Sequence, residues 1–242
     1  MAFEEQRDAW DFRGVSRDDP RRIKSPEKAI ERINEIGFLP LLSNEIDGFS
    51  LSDWTYAPDW WSDDPKTDPW IWREIMASSH EVAYGKFFHG RAGFISLEWL
   101  PVFANYRRDG YDFDALYDDG KAKHKAKKIM DVFETQNHIP SYLVKQQAGF
   151  GKGGEKNYSG VLTELEMKLY LVSSDFQRKR NALGEEYGWP GEILATPEYL
   201  WGYDAVTSCY REAPQDSWQR IVSRIKEYFP EATKKQIMKV CK

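Results

Sequence analysis

The chain has 242 residues, of which 41% are hydrophobic and 30% charged, and its formal net charge is −5. This balance is typical of a folded protein with one or two domains, and it excludes low-complexity and collagen-like chains. No apolar run approaches the ~18 residues that a membrane span requires, and Met1–Asp11 lacks the basic start and apolar stretch of a signal peptide. We therefore expect a cytoplasmic protein with no membrane association.

The cysteines and histidines predict neither disulfides nor a metal site. Cys209 and Cys241 are too few for a disulfide framework, and the four histidines are scattered without the spacing of metal ligands. The glycine-rich stretch 149–154 resembles a phosphate-binding loop, but Glu155 stands where that motif requires serine or threonine. The sequence therefore predicts no metal and no cofactor.

Residues 25–115 follow an N-terminal arm (1–24) and show the order helix, strand, hairpin. Ser25 is the predicted cap of the helix, because a proline occupies the first-turn position directly after it. We interpret this order as a first winged-helix-like unit. Its predicted elements are a helix from Pro26 that ends at Gly37, a strand over Phe38–Leu42, and hairpin strands over Val82–Phe88 and Phe94–Leu97.

Five of the ten tryptophans crowd into the loop of this first unit, at Trp54, Trp60, Trp61, Trp70 and Trp72. Indoles at this density can stack on exposed bases. Aspartates and prolines interleave with them, however, and the acidic side chains would repel a phosphate backbone. We therefore favour a structural role, in which the indoles anchor a proline-rich loop.

Within residues 116–202, the stretch 121–189 carries the most informative pattern, three short amphipathic segments followed by an alternating strand and a basic turn. This is the order of a second winged-helix unit, with a recognition helix and a wing. The remaining residues, 203–242, are predicted to form C-terminal helices, the last of them capped by Thr233. The elements of the second unit are helices over Lys121–Thr135, from a Ser141 cap to Gly149 and over Tyr158–Leu169, a strand over Tyr170–Phe176, a turn over Gln177–Glu186 and a return strand over Tyr187–Trp189.

Together these elements predict an α+β protein made of tandem winged-helix-like units with a helical C-terminal extension. In such a unit the third helix enters the DNA major groove and wing side chains meet phosphates. Residues 121–189 contain 12 Lys/Arg against 8 Asp/Glu. We predict double-stranded DNA as the partner, and a winged-helix module that binds a protein is the alternative. The predicted nucleic-acid contacts are Lys121, Lys125, Lys128, Lys152, Lys156, Asn157, Ser159, Thr163, Arg178, Lys179 and Arg180.

A family resemblance rests on five short segments: Glu35–Pro40 (EIGFLP), Tyr84–Phe88 (YGKFF), Ala92–Ser96 (AGFIS), Phe103–Asp114 (FANYRRDGYDFD) and Tyr187–Trp189 (YGW). In these segments the chain resembles an uncharacterised bacterial family that is related to the AlkZ-type DNA glycosylases. The resemblance covers about residues 26–202. It implies a fold of tandem winged helices and a role in DNA repair.

The resemblance also implies cleavage of the glycosidic bond of alkylated bases by a Gln-x-Gln or Gln-x-Asp motif on the strand after the first helix. Here that strand, Phe38–Leu42, has no polar side chain, and the only Gln-x-Asp, Gln6–Asp8, precedes every predicted helix. A chain without a carboxylate or amide beside the sugar should be slow or inactive. We predict a DNA-binding relative that lacks the usual catalytic motif. The alternative is an active glycosylase that uses Asn44 or Glu45, just after the strand.

Overall fold

The computed structural model describes residues 13–181 and 183–242. The motif Gln6–Asp8 and the first half of the N-terminal arm lie outside the described residues. Tertiary contacts divide the chain into two compact units. Unit 1 comprises the described residues up to Trp99 together with 219–242, and unit 2 comprises 100–218. Each unit contains helices and antiparallel strands, so the fold is a mixed α+β fold, as predicted.

Unit 1 begins with helix α1 (Pro26–Ile36), whose limits agree with the prediction. The Ser25 hydroxyl accepts a hydrogen bond from the Lys28 amide at 3.3 Å. Pro26 is the first helical residue, where a backbone amide would have no acceptor within the helix. Gly37 ends the helix with φ of +103°, and a Cβ atom there would lie 2.5 Å from the Trp99 ring. Both the backbone conformation and the close approach therefore require glycine.

The sheet of unit 1 has three strands, β1 (Phe38–Pro40), β2 (Val82–Phe88) and β3 (Arg91–Ser96). β1 pairs with β3 and β3 pairs with β2, all antiparallel. The turn between β2 and β3 consists of His89 and Gly90 alone, both with positive φ, which is the conformation of a tight hairpin turn. The turn is shorter than predicted because Arg91 already pairs with Phe88.

The tryptophan-rich segment is more helical than predicted. Helix α2 (Pro69–Ser79) contains two of the five tryptophans, and the Asp68 carboxylate caps it by accepting from the Trp70 amide at 2.8 Å. The pair Asp68–Pro69 is a cap and first-turn signal of the same kind as Ser25–Pro26. The loop interpretation overlooked this signal among the prolines and aspartates.

The indoles of this segment pack inside unit 1. Trp60 and Trp72 are buried, and the Trp60 indole N–H donates to the Thr55 hydroxyl at 2.9 Å. The Trp54 indole N–H donates to the Gly48 carbonyl at 2.6 Å. These contacts fit the structural role that the sequence favoured over base stacking.

Unit 2 repeats the strand order of unit 1. Strand β4 pairs with β6, and β6 pairs with β5, so that the last strand is again central. The elements are α3 (Leu100–Arg108), α4 (Phe113–Asp118), α5 (His124–Met130), β4 (Ile139–Pro140), α6 (Ser141–Gln147), α7 (Tyr158–Met167), β5 (Val172–Arg180), β6 (Glu186–Ala195), α8 (Pro197–Trp201) and α9 (Tyr203–Thr207). Their apolar faces enclose a core that includes Ile129, Val144, Leu165 and Leu194.

Three helix limits in unit 2 differ from the prediction. α5 is shorter than Lys121–Thr135, because the chain tightens into a 3-10 turn over Asp131–Glu134. Ser141 is the first helical residue rather than the cap, which is Pro140. α7 ends two residues early, because Leu169 adopts φ of +61° and cannot continue a right-handed helix.

The hairpin of β5, β6 and the turn between them, which the sequence predicts to be a wing and which we call the wing, is longer than predicted. The turn is made by Asn181, whose side-chain oxygen accepts from the Leu183 amide at 2.9 Å and the Glu185 amide at 3.0 Å. The predicted turn over Gln177–Glu186 is therefore wrong at its start, since Arg178–Arg180 lie within β5. The return strand runs through Ala195, well beyond the predicted Tyr187–Trp189.

A buried guanidinium joins the end of α7 to the rest of unit 2. Arg108 is 2% exposed and donates to the Glu198 carboxylate, the Tyr210 hydroxyl at 3.1 Å, and the carbonyls of Lys168 (3.4 Å) and Leu169. Burial alone would lower the pKa of Arg108, but the Glu198 and Tyr210 oxygens outweigh it and raise the pKa. The group therefore stays charged where α7 leaves carbonyls without helical partners.

The C-terminal residues form two helices, α10 (Pro214–Tyr228) and α11 (Lys234–Cys241), and the chain passes from unit 2 to unit 1 within α10. Thr233 caps α11 as predicted, because its hydroxyl accepts from the Gln236 amide at 3.3 Å while the Gln236 side chain accepts from the Thr233 amide at 2.8 Å. In the described part of the chain, every helix is too short or too polar to span a bilayer.

Replacing the buried guanidinium tests its contribution to stability. Arg108→Met should lower the free energy of unfolding by about 3–5 kcal/mol, because it leaves the Glu198 carboxylate and two helix-end carbonyls without their donor. Arg211→Met is the control at an exposed position, and its effect should stay within about 0.5 kcal/mol. Urea denaturation of both variants measures the difference, and equal midpoints would contradict the role given to Arg108.

Candidate nucleic-acid interface

The lysines of the predicted first helix of unit 2 are engaged with carboxylates. The Lys123 ammonium lies 2.9 Å from Glu164, and the Lys127 ammonium contacts Asp131 and lies 3.0 Å from Glu134. Hydrogen bonds to Asp131 and Glu134 raise the pKa of Lys127 above its ordinary value. These positive charges are therefore neutralised within the protein.

Glu155 neutralises two further lysines. Its carboxylate lies 3.2 Å from the Lys125 ammonium and 3.1 Å from the Lys128 ammonium. The hydrogen bond from Lys128, followed by that from Lys125, lowers the pKa of Glu155, so this carboxylate is ionised at neutral pH. Lys125 also donates to the Lys156 carbonyl at 3.3 Å, which ties α5 to the segment before α7.

Lys121, just before α5, is engaged as well. Its ammonium donates to the Tyr111 hydroxyl, lies 4.1 Å from the centroid of the same ring, and is 3.8 Å from Asp119. The hydrogen bond to Tyr111 raises the pKa of Lys121. All three α5-side lysines that the sequence proposed as phosphate contacts thus have an internal anionic or aromatic partner.

The start of α7 is accessible. Asn157 adopts φ of +68°, and its side chain makes no capping hydrogen bond. A side chain that is not used as a cap can contact a ligand. The predicted contacts Lys152, Lys156, Asn157 and Ser159 are exposed, and Thr163 is half-buried.

On the wing, Arg178 and Lys179 are exposed cations with no carboxylate partner within the described residues. The Arg178 guanidinium donates to a backbone carbonyl of β6 at 2.9 Å, and the Lys179 ammonium lies 5.2 Å from the centroid of the Tyr142 ring. The Arg180 guanidinium, in contrast, lies 3.1 Å from Glu186. The uncompensated charge of β5 therefore comes from two side chains rather than three.

The residues predicted to contact nucleic acid fall into two groups. Lysine contacts connect α5 to the start of α7, and the contact between Lys179 and Tyr142 connects the wing to α6. Among the described residues, no hydrogen bond, ion pair or cation–π contact joins Arg178 or Lys179 to Lys156, Asn157, Ser159 or Thr163. The contacts thus bring together the members of each group but do not link the two groups.

In unit 1, the side chain of Asn44 is used by its own loop. Its amide nitrogen donates to the Phe49 carbonyl at 2.6 Å, and its amide oxygen accepts from the Ile46 amide at 2.9 Å. Both ends of the amide therefore hold the loop that follows β1. A substrate could use this group only if the loop were broken.

Glu45 is differently placed. Its carboxylate pairs with the Lys239 ammonium of α11 and is part-exposed. The hydrogen bond from Lys239 lowers the pKa of Glu45, and the positive charge of Arg91 contributes to the shift. Two surface depressions of about 320 Å³ each share Glu45 as a lining residue, one with Arg13 and Ser43, the other with the segment between α10 and α11. An ionised carboxylate thus borders open space in unit 1.

Sequence reasoning missed the carboxylates that neutralise the lysines. Glu155 lies 27 residues from Lys128, and Glu164 lies 41 residues from Lys123. Two of the pairs, Lys127 with Asp131 and Glu164 with Lys168, have the i,i+4 spacing that a sequence reveals. The pairs of Lys128 with Glu155 and of Lys123 with Glu164 do not. These two pairs depend on the packing of α5 against α7.

Comparison with known proteins gives one match. A family model described as AlkZ related matches residues 23–242. No curated protein and no solved structure matches the chain. The matched residues span both units and include α10 and α11.

The pairing of Glu45 with Lys239 predicts a specific pH dependence. The pKa of Glu45 is lower in the folded than in the unfolded chain, so the pair stabilises the fold fully above the unfolded-state pKa and loses that effect as pH falls through the folded-state pKa. Lys239→Met should raise the pKa of Glu45. NMR titration of the side-chain carboxyl carbon measures it, and an unchanged pKa would contradict the ion pair.

Proposed function

We propose that this chain, which belongs to the AlkZ-related family, binds double-stranded DNA through its second unit in a process related to DNA repair. The family supports the relation to DNA repair and to glycosylases. The choice of unit and of contacts is supported by the geometry of α6, α7 and the wing. Winged-helix domains place these elements against DNA in many proteins.

The order of elements supports a winged-helix interpretation of unit 2. From α5 onward the chain runs helix, strand, helix, helix, strand, strand, and the first strand pairs with the third. Unit 1 has the same strand order, with 3-10 turns over Ser52–Trp54 and Ala57–Asp59 where a second helix would lie. Two copies of one plan favour tandem winged helices.

The observation that carries the proposal is the contrast between the wing and α5. Arg178 and Lys179 are exposed and have no carboxylate partner among the described residues, whereas the α5 lysines are paired with Glu155 and other carboxylates. A cation that gives up no carboxylate on binding contributes its full charge to a phosphate contact. We therefore assign the phosphate contacts of unit 2 chiefly to the wing.

The start of α7 is proposed to supply the remaining contacts. Lys152 and Lys156 are exposed cations for phosphates, and Asn157, Ser159 and Thr163 carry the short polar groups that read base edges. Lys121, Lys125, Lys128 and Arg180 are proposed as secondary contacts, because each must exchange an internal partner for a phosphate.

A salt titration tests the wing assignment. Arg178→Ala combined with Lys179→Ala should weaken binding to duplex DNA and reduce the slope of log affinity against log salt by about 2, since each phosphate contact contributes about 0.9. The matched control is Lys123→Ala with Lys127→Ala, which removes the same charge from side chains that are already paired. Fluorescence anisotropy at several salt concentrations measures both variants.

Two results would overturn the proposal. If the control lowers the slope as much as the wing variant, net charge rather than the wing determines binding. If the unaltered protein is not retained on DNA or heparin resin at low salt, it does not bind DNA. That result would favour the alternative, a protein-interaction module.

A glycosylase activity centred on Glu45 is the second candidate function. It is favoured by one observation, an ionised carboxylate that borders two depressions in unit 1. A carboxylate of this kind can stabilise the cationic sugar that forms when the glycosidic bond breaks. Asn44 is not favoured, because its amide is used within the loop.

An abasic-site assay tests this candidate separately from DNA binding. Duplexes that carry alkylated purines should gain alkali-labile sites on incubation with the protein, and Glu45→Gln should slow their formation by about 100-fold or more. Asp47→Asn, in the same loop, is the control and should leave the rate unchanged. If no alkali-labile sites form with the unaltered protein, Glu45 is not catalytic, while the DNA-binding proposal still stands.

A further inference from the structure

Aromatic rings accompany the cations of the wing. Tyr187 is 53% exposed, Trp189 is 60% exposed, and Tyr142 at the start of α6 is 42% exposed. Phe150 and Tyr170 of unit 2 are buried in contrast, while Tyr199 and Tyr203 are exposed outside the wing. Large rings cost free energy when they are left in water, so a group of exposed rings on one hairpin marks a binding surface.

The backbone of β6 determines where these rings lie. Gln177 pairs with Gly191 and Lys179 pairs with Tyr187, so β6 carries extra residues between these two pairs and forms a bulge. Gly188 has φ of +73°, and Trp189 lies within the bulge. The bulge removes this part of β6 from regular pairing with β5 and places an indole on the hairpin.

A cation is held beside these rings. Directly paired residues have their side chains on the same face of a sheet, so Lys179 and Tyr187 share a face, and the Lys179 ammonium lies 5.2 Å from the centroid of the Tyr142 ring. Lys179 thus contacts the Tyr142 ring and shares a face of the hairpin with Tyr187. Aromatic rings interleaved with uncompensated cations are the combination that binds nucleic acid with unstacked bases, because rings stack on bases while cations meet the phosphates.

We infer that the wing binds nucleic acid at unpaired bases, with the ring of Trp189 or Tyr187 stacked on a base and Lys179 on the adjoining phosphate. This inference rests on the proposed function and narrows its substrate to DNA in which base pairing is locally disrupted. In an intact duplex each base is stacked on its neighbours, so the rings have no base face to cover. A lesion or a mismatch supplies that face.

Two DNA substrates of the same length test the inference, a fully paired duplex and a duplex with a central stretch of mismatches. The unaltered protein should bind the mismatched duplex more tightly. Trp189→Ala and Tyr187→Ala should each weaken that binding by about 5- to 150-fold, which corresponds to the loss of one stacking contact, with a change below about twofold on the paired duplex. Trp189→Phe retains a ring and should retain most of the affinity.

Tyr199→Ala is the matched control, because this tyrosine of α8 is 52% exposed but lies outside the wing. It should bind both substrates as the unaltered protein does. If Trp189→Ala and Tyr187→Ala leave both affinities unchanged, or lower both equally, base stacking is excluded while phosphate contact by the wing stands. If the unaltered protein binds neither substrate, the proposed function fails together with the inference.

Discussion

The architecture of unit 2 depends on one buried charge. Arg108 satisfies carbonyls at the end of α7 and a carboxylate on α8, two segments that are far apart in the sequence. An arginine suits this position because its guanidinium offers several donors in a fixed plane and stays charged when buried. Leu169, whose carbonyl it binds, is the left-handed residue that ends α7 and directs the chain toward β5. A single side chain therefore holds the backbone at the point where the chain leaves α7 for β5.

A second constraint is the pairing of charge across unit 2. The excess of lysine in α5 looks like a polyanion-binding surface in the sequence, but the folded chain supplies most of these lysines with carboxylates. Exposed ion pairs contribute little to stability, so their main effect is on which cations can serve a ligand. The wing differs because Arg178 contacts a backbone carbonyl and Lys179 a tyrosine ring, and neither is paired with a carboxylate among the described residues. The number of lysines alone would favour α5 as the phosphate-binding element, whereas the contacts of these lysines favour the wing.

The parts of the fold that the sequence predicted correctly are those with local signals. The limits of α1 follow from Ser25, Pro26 and Gly37. The first hairpin follows from two strand-like segments around a glycine-containing turn, and the second from alternating residues that lead into a basic turn. The sequence also contained the signal for α2 in Asp68 and Pro69. The prolines and aspartates around these two residues favoured a loop instead.

What could not be predicted depends on distant contacts. Arg108 meets Glu198 across 90 residues, and Lys123 and Lys128 meet Glu164 and Glu155 across 41 and 27 residues. The candidate site shows the same division. Exposure at the start of α7 follows from the helical period. The hydrogen bonds that hold the Asn44 side chain within its own loop, in contrast, could not be predicted from the sequence.

The strand β1 has an evolutionary consequence. Phe38 and Leu39 are completely buried, and the Phe38 ring packs edge-on against Phe49 and Trp99, with centroids 5.9 Å and 5.3 Å apart. Glutamines introduced on this strand would bury primary amides among aromatic rings, each at a cost of about 1–3 kcal/mol if it found no hydrogen-bond partner. Two glutamine substitutions on β1 would therefore not suffice for hydrolysis of a glycosidic bond. The surrounding rings would also have to be replaced by smaller side chains, so that water could reach the strand.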